Sequence, residues 1–197
     1  MKILSVDSSN DDFFSLAIIL DSQVNFYKEY KEKITEKLFV VLDSLKNEIK
    51  EIDYFTFNIG PGSYTGIRAV MAALLGIVIG MKKTLLSANT FDVIAHKFLQ
   101  ESNNCNIGNK NIDIYLKSYN KDFVYNQMFD KNLNTLTKPK RVYLEDIRKD
   151  DQNIIISNIL DFGIRIQTSA EDLGLFIKYK LENNLKFNDI QPLYINL

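Results

Sequence analysis

Asn58-Ile59-Gly60-Pro61-Gly62-Ser63-Tyr64-Thr65-Gly66-Ile67-Arg68 leads straight into an apolar stretch ending at Met81, and the way these residues must fold decides the architecture. Tyr54 to Ile59 alternates aromatic and β-branched residues over the length of a buried strand, and three glycines with one proline end it abruptly. Ser63 and Thr65 are natural N-cap residues, so the reading is strand, tight loop, helix. A helix start of this kind presents unpaired N–H groups and a positive dipole end, which together can hold an anion.

Spacing excludes two common chemistries. A Walker A loop needs Lys-Ser/Thr directly after its last glycine, whereas Gly66 is followed by Ile67-Arg68. A nucleophile elbow needs glycines two residues either side of its serine, and Pro61 and Thr65 occupy those positions around Ser63. The loop residues Gly60, Gly62, Ser63, Thr65, Gly66 and Arg68, with Asp7 and Ser8 at the end of the first strand, are the candidate phosphate site, although a glycine-rich loop taken alone is more often a well-capped turn. No catalytic set and no metal-ligand set stands out beside it.

From Ile67 to Met81 only Arg68 is charged. A helix apolar all round is buried on all sides or spans a membrane, and spanning takes about 20 apolar residues. Burial by protein is therefore expected. Ala69, Ala73, Gly76 and Gly80 recur at three- and four-residue spacing and make a stripe on which another helix can approach closely, flanked by Val70 and Ile77. The sheet covers one side of this helix; a second chain is the candidate for the other.

The 197 residues are 46% hydrophobic with a formal net charge of −1, enough for one globular unit or two small lobes. A net charge near zero argues against the chain holding nucleic acid by itself. The single cysteine, Cys105, lies in the polar run Glu101 to Asn106 and is expected to be an exposed bystander thiol. His96 is expected on the exposed side of a helix whose apolar face is Phe91, Ile94, Ala95 and Phe98. The opening Met1 to Asp7 reaches an acid too soon for a signal peptide, so the cytoplasm is the expected compartment, with no membrane association.

Lys2–Val6, Phe13–Leu20 and Gln23–Tyr30 read as three strands in a meander, with Asp21-Ser22 as the turn between the last two. Ile34 to Ile49 reads as one helix with Ile34, Leu38, Val41, Leu42, Leu45 and Ile49 inward, leaving Phe39 and Val40 off that face. A short strand Thr84–Leu86 and the Phe91 helix complete a βββαβαβα series, which implies a mixed sheet. The polar run from Gln100 to Asn111 marks the boundary, giving a first lobe over 1–102 and a second over 103–189, with 190–197 available to pack back on the first. Within the second, Ile112–Leu116, Phe123–Phe129 and Ile154–Ser157 read as strands, Leu144–Lys149 as a short helix and Leu173–Leu181 as part of a longer one.

These residues resemble a known family. Ile3-Leu4-Ser5-Val6-Asp7-Ser8, the loop Gly60 to Arg68 and the terminal Pro192-Leu193-Tyr194-Ile195 are similar to the corresponding motifs of the TsaB (YeaZ) family. The resemblance covers roughly residues 1–100 plus the terminal motif; Ser118-Tyr119-Asn120 and Asn196 depart from the family pattern, so the second lobe reads as divergent and reduced. It implies an α/β, actin/Hsp70-like (ASKHA) fold of two lobes, the first βββαβα. It also implies a non-catalytic scaffold in the complex that makes N6-threonylcarbamoyladenosine at position 37 of tRNA. The implied partners are a TsaD-like catalytic subunit and a TsaE-like ATPase, with a homodimer in isolation and tRNA met only through the complex. The implied interface is formed by the first two helices, through Phe39, Val40, Ala69, Val70, Ala73, Gly76, Ile77 and Gly80. No cofactor is expected in the isolated chain, although the fold leaves ATP or ADP binding open. The alternative is an active ATP-binding phosphotransferase or ATPase of the same superfold, with Asp7 placing Mg²⁺ and Gly60 to Gly66 holding phosphate.

Overall fold

The computed structural model describes residues 1–21, 23–102 and 107–195; Ser22, Cys105 and Asn196, on which expectations rest above, lie outside the described residues. The chain divides into two compact units, one of residues 1–90 and 168–193, the other of residues 91–167 and 194–197. The division falls at Thr90 and Gln167, where the sequence reading placed it near 102 and 189.

The first unit is built on five strands: β1 (Lys2–Asp7), β2 (Phe14–Leu20), β3 (Gln23–Tyr30), β4 (Tyr54–Asn58) and β5 (Thr84–Ala88), in the order β3-β2-β1-β4-β5. The meander pairs antiparallel, and β1, β4 and β5 run parallel, as helical crossovers require. On one face Leu4, Val6, Leu16, Ile18, Phe55 and Phe57 pack with Leu38, Val41, Leu42, Val70, Leu74 and Val78 from the crossover helices.

The Ile34–Ile49 helix is broken in two, α1 (Ile34–Ser44) and α2 (Lys46–Lys50). The Ser44 hydroxyl donates back to the Val41 carbonyl at 2.7 Å, the local competition that loosens a helix, and Leu45 leaves helical geometry. The second crossover is α3 (Tyr64–Met81), which begins at Ser63, whose hydroxyl accepts from the Gly66 N–H. Among the described residues α3 alone has the length and composition to cross a membrane. Val70, Ala73, Leu74 and Val78 turn one side of it into the core instead.

The next helix, α4 (Thr90–Glu101), opens the second unit, whose four strands run β8-β7-β6-β9: β6 (Asn111–Lys117), β7 (Phe123–Phe129), β8 (Lys140–Tyr143) and β9 (Asn153–Ser157). His96 is buried, not exposed: Val93 is buried one turn before it, beside Phe91, Ile94, Ala95 and Phe98, and only Gln100 and Glu101 at the end of α4 are exposed. Leu144–Asp146 is a single 3-10 turn where a short helix was expected, and β8 was not foreseen.

The last helix, α5 (Ala170–Glu182), returns to the first unit and covers the other face of its sheet. Ser5 and Ser15 bracket its first residue, Ser5 donating to the Ala170 carbonyl at 2.5 Å and Ser15 accepting from the Ala170 N–H at 2.8 Å. Gly174 allows the close approach, since a Cβ there would lie 2.6 Å from Ile19 Cγ1 and 2.9 Å from Ser5 Oγ. The segment after α5 also stays with the first unit: the Ser87 hydroxyl donates to the carbonyls of Asn188 and Asp189, and the Leu193 N–H donates to the Ile59 carbonyl.

Candidate functional site

Asp7 and Asn58 end the parallel strands β1 and β4, the place where open α/β sheets bind ligands. The loop that follows Asn58 is held shut by that residue and by Thr90. Asn58 Oδ1 accepts from the Gly60 N–H at 2.8 Å, and the Thr90 hydroxyl shares its one proton between the Pro61 carbonyl at 2.7 Å and Asn58 Oδ1 at 3.0 Å. Gly60 has a φ of +100°, where only glycine is comfortable.

Gly62 and Gly66 serve close approach to the turn after β1. A Cβ on Gly62 would fall 2.5 Å from the Ser9 carbonyl oxygen, and one on Gly66 3.1 Å from Ser8 Cβ. The Ser63 N–H donates to the Ser9 carbonyl at 3.3 Å. Ser8, Gly60, Gly62, Ser63 and Gly66 are therefore brought together as the sequence suggested, but against one another. No phosphate fits between Gly62 and Ser9, and the N–H groups of Gly60, Ser63 and Gly66 already have acceptors within the chain. Thr65 is exposed on the first turn of α3, and the Arg68 guanidinium stacks 3.3 Å from the centroid of the Tyr64 ring.

Asp7 is fully buried, which pushes its carboxyl up from the ordinary aspartate range; the Ser9 N–H donating to Oδ1 at 2.8 Å pulls the other way, and the Asp172 charge adds to the rise. Its Oδ2 is buried without a hydrogen-bond partner. No group of three acidic, His or Cys residues gathers among the described residues. The loop N–H groups that would face a phosphate are turned to acceptors of the chain itself.

The other set of residues behaves differently. Phe39 and Val40 on α1 are 63% and 61% exposed, and Ile79 on α3 is 73% exposed. Gly76 and Gly80 meet nothing within 4 Å where a Cβ would point, and Ala69 and Ile77 are half-buried beside them. Val70 and Ala73 are turned inward: both are buried in the core cluster shared with α1, so neither lies on the open face. Ala72 and Ile79, which sequence reading passed over, lie on that face instead; counting 100° per residue from Gly76 and Gly80 finds them.

No protein-family model matches the chain. A curated relative from Buchnera aphidicola subsp. Acyrthosiphon pisum (strain APS), named tRNA threonylcarbamoyladenosine biosynthesis protein TsaB, is 27% identical over 216 residues, covering 98% of this chain and 97% of its own length. The solved structure of YeaZ from Pseudomonas aeruginosa superimposes with a TM-score of 0.75 at 14% identity, over 98% of this chain and 99% of that one. The chain is similar to TsaB (YeaZ) proteins over its whole length. A second TsaB, from Buchnera aphidicola subsp. Schizaphis graminum (strain Sg), is 28% identical over 99 residues, covering 48% of this chain and 47% of its own. A crystal structure described as similar to the peptidase YeaZ from Pseudomonas aeruginosa gives a TM-score of 0.76 at 14% identity over 99% of both chains. The α/β fold expected for a TsaB-type chain is shared with these two solved structures.

Proposed function

We propose that the chain is a non-catalytic scaffold in the synthesis of N6-threonylcarbamoyladenosine at position 37 of tRNA. It presents the outer faces of α1 and α3 to a TsaD-like catalytic subunit. The observation that carries this reading is the open apolar face: Phe39, Val40 and Ile79 exposed beside Gly76 and Gly80, where two helices can meet at close range. The names of the two curated relatives supply the pathway. In isolation the same face pairs with a second copy of the chain, more weakly; a TsaE-like ATPase joins the heterodimer, and tRNA is held mainly by the partners.

The closed glycine loop and the buried Asp7 weigh against the phosphotransferase alternative. A peptidase would need a nucleophile and base in contact, and the one histidine of the chain is buried within α4.

The test is co-purification with the TsaD-like subunit of the same organism. A Cβ at Gly76 would meet nothing within 4 Å, so Gly76→Arg is expected to leave the monomer folded while the bulky charge blocks the face. Burying it unpaired costs on the order of 3–5 kcal/mol, more than a hundredfold in affinity. Undiminished co-purification of this variant would remove the interface assignment.

A further inference from the structure

Between Asp130 and Glu145 the chain carries Lys131, Lys138, Lys140 and Arg141 and no acid, in a protein whose net charge is −1. This stretch lies as a strap along the outer edge of β7. The Leu136 N–H donates to the Met128 carbonyl at 2.9 Å, the Thr137 hydroxyl accepts from the Met128 N–H at 2.9 Å, and β8 then pairs from Lys140↔Asn126 to Tyr143↔Phe123. The strap therefore ends in an edge strand, with its lysines outward and Arg141 half-buried. Lys131, Lys138 and Lys140 are exposed, and neither Lys138 nor Lys140 has an acidic partner among the described residues.

Strand alternation puts Arg141 and Tyr143 on one face and Lys140 and Val142 on the other. Arg141 lies over the Tyr125 ring at 6.0 Å, with its Nε buried and without a hydrogen-bond acceptor. Tyr143 packs on Phe123, ring centroids 4.4 Å apart, and stays 49% exposed. Edge lysines are a common guard against unwanted strand pairing, which accounts for the lysines alone. It does not account for a half-exposed aromatic ring two residues from an arginine on the same face, which makes an edge stickier.

An arginine and an aromatic ring on one face of an edge strand, with exposed lysines along its rim on the other, are parts that hold RNA running along that edge, the cations on phosphates and the ring on an unstacked base. We infer that the strap 131–143, centred on Lys138, Lys140, Arg141 and Tyr143, is an auxiliary RNA-binding surface that touches the tRNA substrate of the assembly. The inference rests on the pathway reading above, which supplies the RNA. It adds a role for the second unit, to which that reading assigns none. A four-cation strap in a near-neutral chain supports weak, salt-sensitive binding, consistent with most of the affinity coming from the partners.

The experiment is fluorescence anisotropy of a labelled, unmodified tRNA transcript with the full chain at salt concentrations from about 50 to 200 mM. Wild type is expected to bind weakly at the low end of that range and to fade by the high end. The triple variant Lys138→Gln, Lys140→Gln, Arg141→Gln should bind at least tenfold more weakly at low salt. Its slope of log affinity against log salt should be shallower by about two to three, since each phosphate no longer neutralised removes roughly 0.7–0.9. Tyr143→Ala should weaken binding to single-stranded RNA more than to a duplex of equal length. An unchanged slope overturns the inference, as does equal displacement of the tRNA by an acidic peptide of matched charge. Aggregation of the triple variant with unchanged RNA affinity assigns the cations to edge protection and also overturns it. Co-purification with the TsaD-like subunit is run in parallel: RNA binding unchanged in the triple variant, with partner binding intact, removes only the strap, and failure of the wild-type chain to bind the partner while it still binds RNA removes only the scaffold reading.

Discussion

Asp7 ends β1 with a buried carboxyl, one oxygen accepting from the Ser9 N–H and the other lacking a partner. Because burial raises its folded pKa above the unfolded value, the native state holds its proton over a pH window in which the unfolded chain has lost it. Stability contributed by this group is thus fully present below the ordinary aspartate pKa of about 4 and falls as pH rises through the folded pKa. Asp7→Asn is expected to stabilise the chain at neutral pH by about 1–3 kcal/mol, with the gain shrinking in urea titrations as the pH is lowered. A gain independent of pH would show that the charge is not its source. Gly62 makes the complementary case: a methyl 2.5 Å from the Ser9 carbonyl oxygen must move backbone, so Gly62→Ala is expected to cost about 1–3 kcal/mol, read as a lowered Tm. With the loop closed in this way, calorimetry with Mg-ATP should register no binding to the isolated chain; tight binding with turnover would restore the phosphotransferase reading.

At the scale of elements, α3 carries two burdens that pull its sequence apart. Its inner side, through Val70, Ala73, Leu74 and Val78, fills the core, while its outer side keeps glycines that weaken a helix. Gly76→Ala and Gly80→Ala should therefore each raise monomer stability by roughly 0.5–1 kcal/mol, since neither methyl meets another atom, and both should loosen the partner complex. Stabilisation with undiminished partner binding would mean the glycines are not there for close approach. The strands, the loop and this helix were legible because period-two alternation, glycine punctuation and an uncharged run are local signals. The rotation of α3 was not: composition marks an all-apolar helix without saying which side meets the sheet, so Val70 and Ala73 read as surface when they are core. The break at Leu45 depends on one hydroxyl, Ser44, and β8 is a short Lys-Arg-Val-Tyr segment just after Pro139, made a strand only by pairing with β7.

For the whole molecule, the sheet of the first unit is closed by a helix from far along the chain. The Ser5 and Ser15 hydroxyls, with Gly174, bind α5 across more than 150 residues of sequence, a relation no local pattern announces. That is why the boundary near 102 and 189 differs from the division at 90 and 167. The polar run after Glu101 is a real change of composition, but chain continuity and structural unit part company there. The result is a first unit with both faces of its sheet covered and, among its described residues, large apolar side chains left open on α1 and α3. The central claim is that this face binds the catalytic subunit. Hydrogen–deuterium exchange of the chain, alone and mixed with its TsaD-like partner, tests it most directly. Protection concentrated in the peptides spanning residues 36–44 and 65–81 is the expected result; unchanged exchange there, with protection appearing elsewhere, would contradict the account.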